Sequence, residues 1–225
     1  MNDVAGLTRT LKSVEQQDFS SYEYLVVDGA STDGSVELLK NNKLITSYIS
    51  EKDVGVYHAM NKAIERAQGE WLVFMNAGDM FFAPNTLSQS LSLIKPDIDV
   101  IYSDWVYYET GYRVMADLAK LNVRHQSLIY RKSLHTIYGN YVVGQKVSIS
   151  DYIFFLSISR KNWRYCDIPI SICNQQGISA NPSHFYQRLA AEIIFGKRSR
   201  VKGALIILIY PIYRFIKRDI LRIRN

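Results

Sequence analysis

The feature that most constrains the fold is an alternation of helices and short apolar strands in the first part of the chain. Apolar residues recur at helical spacing in 4–17 and 56–68, and segments with strand character lie at 24–27, 46–50 and 70–76. Strands that alternate with helices pair in parallel through right-handed crossovers. We therefore predict an α/β fold for this part of the chain.

The pattern changes after residue 79. The predicted elements there are a helix at 85–94, β structure at 99–108 and 112–115, a strand at 127–130, a buried helix at 151–159, two short strands around Pro169 within 163–173, and a helix at 182–196. No repeat or low-complexity linker interrupts this order. We expect one domain over 1–196 with two halves, 1–110 and 111–196, and an appended tail at 197–225.

The start of the chain departs from this plan. An α/β domain of this kind opens with a strand, whereas a helix begins here almost at once after Met1 and Asn2. We therefore expect a missing first strand, through a misassigned start or a truncated gene.

Charge and cysteine content restrict the partners and the compartment. The net charge of +6 resembles that of a nucleic-acid-binding protein, but 197–225 contains nine Lys or Arg residues and one acid, so the rest of the chain has a slight excess of acids. We therefore expect no nucleic-acid partner. Cys166 and Cys173 fit neither a zinc spacing nor a disulfide framework, and Met1 is followed by polar residues rather than a signal peptide. These features predict buried thiols in a cytoplasmic protein.

Acidic residues follow three successive predicted strands. Asp28 ends the first, Glu51 and Asp53 follow the second, and Asp79 follows the third. One such acid is commonly a helix cap. Because the carboxyl ends of parallel strands meet at one edge, where ligands of open α/β sheets bind, three together favour a binding site.

The sequence contains neither GxGxxG nor GxxxxGK[ST], the glycine-rich loops that hold phosphates. Phosphates at this edge would therefore be held by carboxylates through a divalent cation. Mg²⁺ and Mn²⁺ accept carboxylate and phosphate oxygens together. Asp79 would then bridge the cation to a nucleotide diphosphate.

Three segments carry a family resemblance. They are VVDGASTDGS (26–35), SEKDVGVYHAMNKAIERAQGEWLVFMNAGD (50–79) and SDYIFF (150–155). They resemble family 2 glycosyltransferases of the GT-A fold, and in particular the bacterial enzymes that build capsular, colanic-acid or O-antigen repeat units. The resemblance covers roughly residues 2–180. It implies a mixed, mainly parallel sheet flanked by helices, and inverting sugar transfer from a nucleotide-sugar, typically a UDP-sugar.

The resemblance also implies roles for single residues. Asp28 matches the acid that contacts the nucleoside, and Asp53 lies in the segment that closes over base and ribose. Asn76 and Asp79 lie in the metal-binding Asp-x-Asp element, where Asp79 matches the final acid that binds Mn²⁺ or Mg²⁺. Asp151 matches the catalytic base.

Two departures leave an alternative open. Asn76 replaces an acid, and an amide is a weaker ligand for a hard cation, although it can bond a ribose hydroxyl. Asn2 is all that remains of the family's first-strand segment near the base. The alternative is a truncated or non-catalytic remnant that binds nucleotide-sugars.

Other candidate residues depend more on the resemblance than on their own pattern. Asp151 would suit a base if partial burial raised its pKa, but Ser150-Asp151 before an apolar run is also good N-cap chemistry. His125 and Gln126 resemble a donor- or acceptor-pocket segment, and Ser179 an acceptor-side loop. A lone histidine in such a position is more often a surface or core residue.

The tail has the pattern of an amphipathic helix. Residues 203–213 lack charge but are too short for a spanning helix of about 20 residues, and Pro211 would kink one. Aliphatic residues on one side are Leu205, Ile209, Ile212, Ile216, Ile220 and Ile223, and basic residues on another are Arg214, Lys217, Arg218 and Arg222. This predicts an interfacial helix on anionic lipid at the inner face of the cell membrane. The lipid-linked saccharide acceptor that the resemblance implies would require such a position. The alternative is a helix packed on the domain with its basic residues in solvent.

Overall fold

The computed structural model describes residues 1–175 and 182–223. Its helices are α1 (Val4–Glu15), α2 (Ser35–Asn41), α3 (Val56–Arg66), α4 (Thr86–Leu91), α5 (Leu134–Tyr138), α6 (Ser150–Ser157), α7 (Pro182–Ile194) and α8 (Arg200–Ile223). Its strands are β1 (Leu25–Asp28), β2 (Ser47–Ser50), β3 (Trp71–Val73), β4 (Met80–Phe81), β5 (Val100–Tyr107), β6 (Arg113–Val114), β7 (Leu128–Arg131) and β8 (Trp163–Cys173). Short 3₁₀ turns occupy His125–Ser127 and Arg160–Asn162.

Helix α1 follows from capping and periodicity. The side chain of Asp3 accepts a hydrogen bond from the backbone N–H of Gly6 at 2.8 Å, which satisfies one free donor of the first turn. Leu7, Leu11 and Val14 are buried on one face, as their spacing predicts. The N–H of Val4 donates to Oδ2 of Asp33, and a Cβ on Gly78 would lie 3.6 Å from Oδ2 of Asp3, so α1 begins close to the segments that follow β1 and β3.

The strands form two sheets. β1 pairs with β2 in parallel, and the second sheet has the order β3-β7-β5-β8-β4, with β6 also on β5. In the second sheet only β5 and β8 pair in parallel, among the strands that the structure describes. The mixed α/β fold is confirmed, but the expectation of a mainly parallel sheet is wrong, because the chain after β3 adds its strands mostly in antiparallel order.

Alternation along the strands separates two cores. On β7, Leu128 and Tyr130 face a large cluster with α3 and α6, whereas Ile129 faces the opposite cluster with α1 and α4. On β5, Val100 faces the first of these clusters and Ile101 faces the second. The sheet is therefore covered on both faces.

Several predicted boundaries change. Residues 163–173 form one strand rather than two around Pro169, with a register irregularity opposite Ser103 and Trp105. Cys166 and Cys173 are thus buried thiols on one strand, rather than on a strand pair. The strand expected at 70–76 is shorter, because the chain turns at Asn76.

Helices α7 and α8 pack on each other. Gly203 of α8 lies against Ile193, where an added Cβ would come within 2.4 Å of Cδ1, and the ring of Tyr210 stacks on that of Phe185 at 3.6 Å. α8 continues through Pro211. In the described part of the chain, no helix has both the length and the apolar character needed to cross a membrane.

Candidate active site

The turn after β3 is shaped by glycine and held by α1. The backbone N–H of Asp79 donates to the carbonyl of Asn76 at 3.0 Å, and Gly78 has a φ of +96°. The hydroxyl of Thr10 donates to the carbonyl of Asp79 at 2.7 Å, lies 3.2 Å from the carbonyl of Asn76, and accepts from the N–H of Gly78 at 2.9 Å. A side chain on Gly78 would approach Nδ2 of Asn174 to 2.8 Å. The turn formed by Asn76-Ala77-Gly78-Asp79 and its contacts with Thr10 therefore hold the backbone of Asp79 in one position.

The carboxylate of Asp79 is buried, with 4% of the residue exposed. Its oxygens accept from Nε2 of Gln126 at 2.8 Å and, weakly, from the backbone N–H of Asn174 at 3.4 Å. Burial raises the pKa of Asp79 and outweighs the opposing hydrogen bond from Gln126. No Lys or Arg side chain of the described residues forms an ion pair with it. A buried carboxylate without a cation is the kind of group that a metal ion would stabilise.

The residues around Asp79 fit a hard divalent cation. Oxygen donors of the kind that Mg²⁺ and Mn²⁺ prefer are present in the Asp79 carboxylate and in Oε1 of Gln126, which is buried without a protein partner. No group of three or more His, Cys, Asp or Glu residues that could hold a metal ion occurs within the described residues. An ion at Asp79 would therefore complete its coordination with water and phosphate oxygens, as Mg²⁺ commonly does.

Asp151 lies in the first turn of α6. Oη of Tyr57 donates to Oδ1 of Asp151 at 2.6 Å, and Nδ1 of His125 lies 3.0 Å from Oδ2. The N-cap position is Ile149, and the hydroxyl of Ser150 accepts from the backbone N–H of Val142. Asp151 is therefore bonded to other side chains and does not cap its helix.

The pKa of Asp151 contradicts one expectation. Burial, the largest influence, opposes ionisation, but the hydrogen bond and electrostatic influence of His125 and the hydrogen bond of Tyr57 outweigh it. The pKa therefore lies below its ordinary value, whereas we expected partial burial to raise it. Asp151 is therefore held in its ionised form, and its carboxylate is a weaker base than one whose pKa lies near neutrality.

His125 and Gln126 join the two carboxylates. Nε2 of His125 lies 3.3 Å from Nδ2 of Asn76, while its Nδ1 faces Asp151. With Asp151 ionised, Nδ1–H donates to the carboxylate and Nε2 accepts from the Asn76 amide. The adjacent Gln126 bonds Asp79. Sequence neighbours in one 3₁₀ turn thus connect the two ends of the site.

Asp28 and Asn2 lie at the end of β1. Oδ2 of Asp28 accepts from the backbone N–H of Ser31 at 2.8 Å and from the hydroxyl of Ser50 at 2.6 Å, and the hydroxyl of Ser31 donates to Oδ1. Burial opposes ionisation of Asp28, but these bonds outweigh it and hold its pKa below the ordinary value. The N–H of Asn2 donates to the hydroxyl of Ser31, and its side-chain oxygen accepts from the N–H of Thr32 at 2.8 Å.

Asp53 lies beside the same strand end. A Cβ on Gly29 would come within 3.6 Å of Oδ2 of Asp53. Oδ1 of Asp53 accepts from Nζ of Lys62 at 2.6 Å and lies 3.2 Å from Nδ1 of His58. Ser179, predicted at the acceptor side, lies outside the described residues.

Comparison with known proteins decides the family. The family model described as "Glycosyl transferase family 2" matches residues 1–156. The chain belongs to glycosyltransferase family 2. The match includes Asp28, Asp53, Asp79 and Asp151, so the resemblance seen in the sequence is confirmed.

Two relatives of this glycosyltransferase are named for the biosynthesis of PGL/p-HBAD and of teichuronic acid. A "PGL/p-HBAD biosynthesis glycosyltransferase" of Mycobacterium bovis is 28% identical over 88% of this chain and 84% of its own length. The "putative teichuronic acid biosynthesis glycosyltransferase TuaG" of Bacillus subtilis is 31% identical over 58% of this chain and 52% of its own length.

Solved structures show the same fold. S. aureus TarS in complex with UDP-GlcNAc has a TM-score of 0.71 and 19% identity, and the match covers 87% of this chain. The mannosyltransferase PcManGT from Pyrobaculum calidifontis, in complex with GDP-Man and Mn²⁺, has a TM-score of 0.65, 20% identity and 85% coverage. This chain spans 64% of the TarS chain and 61% of the PcManGT chain. At these identities the likeness establishes the GT-A fold of the glycosyltransferase.

Some site residues have no clear signal in the sequence. Thr10 reads as one polar position among the apolar residues of α1, and Asn174 follows β8 without a motif. Tyr57 lies in a helix whose residues could face either the core or the site. Each contacts the site from a distant part of the chain, so a pattern within one element could not identify it.

Proposed function

We propose that this glycosyltransferase transfers a sugar with inversion from a nucleotide-sugar, a UDP-sugar, to a lipid-linked oligosaccharide during assembly of a bacterial surface polysaccharide. The observation that carries the proposal is that Asp79 and Asp151 bond Gln126 and His125, which are neighbours in one 3₁₀ turn. Asp28, Asp53, Asn76 and Asn2 would bind the nucleotide, because they lie at neighbouring strand ends. The names of the relatives, which refer to teichuronic acid and PGL biosynthesis, support this class of acceptor.

The base in this reaction is Asp151. The acceptor hydroxyl oxygen attacks the anomeric carbon, its proton passes to the Asp151 carboxylate, and the bond from the anomeric carbon to the diphosphate oxygen breaks. Mn²⁺ or Mg²⁺ held at Asp79 would supply Lewis-acid stabilisation of the departing diphosphate. Asn76 would hold a ribose hydroxyl, since its amide offers both a donor and an acceptor.

Donor binding is tested by calorimetric titration with UDP and GDP, with and without Mn²⁺. We expect UDP to bind with metal dependence, and Asp79→Ala to lose the metal-dependent part. Asp97→Ala changes an exposed acid away from the site and serves as the matched control. Equal binding without metal would contradict the metal role of Asp79. Absence of binding by both nucleotides would favour the non-catalytic remnant.

Catalysis is tested with Asp151→Asn. We expect transfer to be abolished while UDP affinity stays near that of the wild type, because Asp151 faces the acceptor rather than the nucleotide. The anomeric configuration of the product, read by proton NMR, tests inversion. Transfer that persists in Asp151→Asn would remove Asp151 from the role of base.

We also propose that the chain is peripheral on the inner face of the membrane, with 197–225 as its attachment. On α8 the face turned toward α7 carries Gly203 and Tyr210, while Val201, Leu205 and Leu208 are exposed, Leu208 by 69%. Exposed basic residues flank this face, namely Lys197, Arg200 and Lys202. An exposed aliphatic face beside cations matches an anionic bilayer surface. The side chains of the aliphatic face predicted from Ile212 onward lie outside the part of the chain whose side chains are described.

Membrane attachment is tested by flotation with vesicles containing phosphatidylglycerol. Deletion of 197–225 and the double variant Leu205→Glu, Leu208→Glu should both lose vesicle binding. Ile137→Glu is the matched control, because Ile137 is 67% exposed on the unrelated helix α5. Unchanged flotation of the deleted chain would show that the tail is not the anchor.

A further inference from the structure

Tyr57 contacts the candidate base from an unexpected direction. It lies in the first turn of α3, is 6% exposed, and bonds Asp151 across 94 residues of sequence. Burial, together with the charge of Asp151, raises the pKa of Tyr57, so its hydroxyl stays protonated and must donate. The 2.6 Å bond is therefore a charge-assisted hydrogen bond to one oxygen of the carboxylate.

The ring of Tyr57 is itself held in place. It packs on the ring of Tyr141 at 5.7 Å between centroids. The backbone of Tyr141 is fixed to α3, because the side chain of Asn61 donates to its carbonyl at 2.8 Å and accepts from its N–H at 3.0 Å. The hydroxyl of Tyr57 is therefore presented to Asp151 from a rigid support.

The two oxygens of Asp151 have different partners. Oδ1 is bound by Tyr57 and Oδ2 by His125, so the carboxylate cannot rotate without breaking one of these bonds. Each oxygen keeps a lone pair for a further donor. Tyr57 also follows closely on the segment that carries Asp53, which lies at the end of β1.

We propose that Tyr57 is a positioning residue, which orients the Asp151 carboxylate toward the acceptor hydroxyl and ties it to the segment that carries Asp53. This inference rests on the proposed function, in which Asp151 removes the acceptor proton. Tyr57 itself touches neither the donor nor the acceptor in this proposal.

The test compares Tyr57→Phe with Tyr141→Phe. Both variants remove one buried hydroxyl from the same aromatic cluster and keep the ring, but the hydroxyl of Tyr141 bonds Tyr130 rather than Asp151. For Tyr57→Phe we expect kcat to fall by about 10-fold to 100-fold through loss of alignment, with KM for the donor and UDP affinity unchanged. Tyr141→Phe should keep the wild-type kcat.

The pH profile separates positioning from packing. Besides Tyr57 and His125, which bond Asp151, the titratable groups that interact electrostatically with its charge are Tyr130 of β7, Tyr141 and His184 of α7. The hydroxyl of Tyr141 bonds Tyr130 and not Asp151. Loss of the Tyr57 bond removes a contact that favours the ionised carboxylate, so the acid limb of kcat should move to higher pH in Tyr57→Phe alone. Two results would show that Tyr57 has a merely structural role. One is a lower kcat in Tyr57→Phe with the acid limb of the pH profile unchanged, and the other is an equal decrease of kcat in Tyr141→Phe.

A second measurement is independent of turnover. Carbon-13 NMR of labelled aspartate, with the Asp151 signal assigned from its loss in Asp151→Asn, follows the titration of this carboxylate in the folded protein. We expect it to titrate at higher pH in Tyr57→Phe and at the wild-type pH in Tyr141→Phe. An unmoved titration in Tyr57→Phe overturns the positioning role. An inactive wild type with a moved titration would instead count against the proposed function.

Discussion

Thr10 shows how much of the site depends on one hydroxyl. It contacts the turn that carries Asp79 through the carbonyl of that residue and the N–H of Gly78, and it is 3% exposed. Valine has nearly the same shape but leaves these backbone groups buried without a partner, which costs about 1–3 kcal/mol.

We therefore expect Thr10→Val to lower the free energy of unfolding by about 2 kcal/mol, and to weaken metal-dependent UDP binding because the turn is no longer fixed. Urea unfolding and calorimetry measure the two effects. Thr8→Val is the control, since Thr8 is exposed and its hydroxyl bonds the carbonyl of Val4 within α1 rather than the turn that carries Asp79. Equal losses in both variants would contradict a specific role for Thr10.

The ionised carboxylate of Asp79 should lower the free energy of unfolding in the absence of metal. Its pKa is raised by burial, so the folded chain holds the proton to higher pH than the unfolded chain does. The free energy of unfolding therefore falls as pH rises from the unfolded pKa through the folded pKa, and the full cost is present above the folded pKa.

We accordingly expect Asp79→Asn to be more stable than the wild type at neutral pH without metal, by about 1 kcal/mol, and equally stable in acid. Urea unfolding at the two pH values in the presence of a chelator tests this. Added Mn²⁺ should then stabilise the wild type and leave Asp79→Asn unchanged. A variant that is less stable at neutral pH would show that ionised Asp79 is satisfied by the protein alone.

At the scale of elements, the stability that Gly78 gives to the turn between β3 and β4 can be divided into two parts, one from its backbone conformation and one from its contact with Asn174. Gly78 and Gly34 have φ values of +96° and +94°, but an added Cβ has nothing within 4 Å at Gly34 and meets Asn174 at Gly78. Alanine at either position carries the same left-handed backbone cost of about 1 kcal/mol.

Gly78→Ala should therefore lose more stability than Gly34→Ala, and it alone should weaken nucleotide binding by displacing Asn174 from Asp79. Thermal melting and calorimetry of the two variants give the comparison. An equal loss of stability in the two variants would mean that the side chain of Asn174 can change position without cost.

Local patterns predicted most of the elements. Helical spacing identified α1 and α3, and the acids after β1, β2 and β3 indicated the strand ends near the site, although β3 belongs to a different sheet from β1 and β2. Strand direction after β3 could not be predicted, because pairing such as that of β5 with β7 and β8 depends on distant partners. For the same reason the sequence suggested Asp151 and His125 singly, while their contact with each other required the fold. The domain limits stay predictions.

At the scale of the whole molecule, charge is unevenly distributed. The basic residues gather in 197–225, and the remainder of the chain has a slight excess of acids. Vesicle binding through the tail should therefore weaken as ionic strength rises, because surface charges interact over a Debye length of about 10 Å at 0.1 M salt.

We expect flotation with anionic vesicles to decrease several-fold between about 0.05 M and 0.5 M salt, and flotation with neutral phosphatidylcholine vesicles to be weak throughout. Sedimentation or flotation across the salt series measures this. Binding that is equal on both lipids and independent of salt would point to the aliphatic face alone as the attachment.

The hydrogen-bond chain from Asn76 through His125 and Asp151 to Tyr57 has a consequence for protein engineering. A designer who restores an acid at position 76, to strengthen metal binding, also exchanges an amide donor for an anion beside His125. In the proposed mechanism, nucleotide binding at Asn76 and proton removal by Asp151 both depend on His125, so we expect substitutions at these positions to show epistasis. Libraries that vary positions 76 and 125 together will recover active enzymes that single-site scans miss.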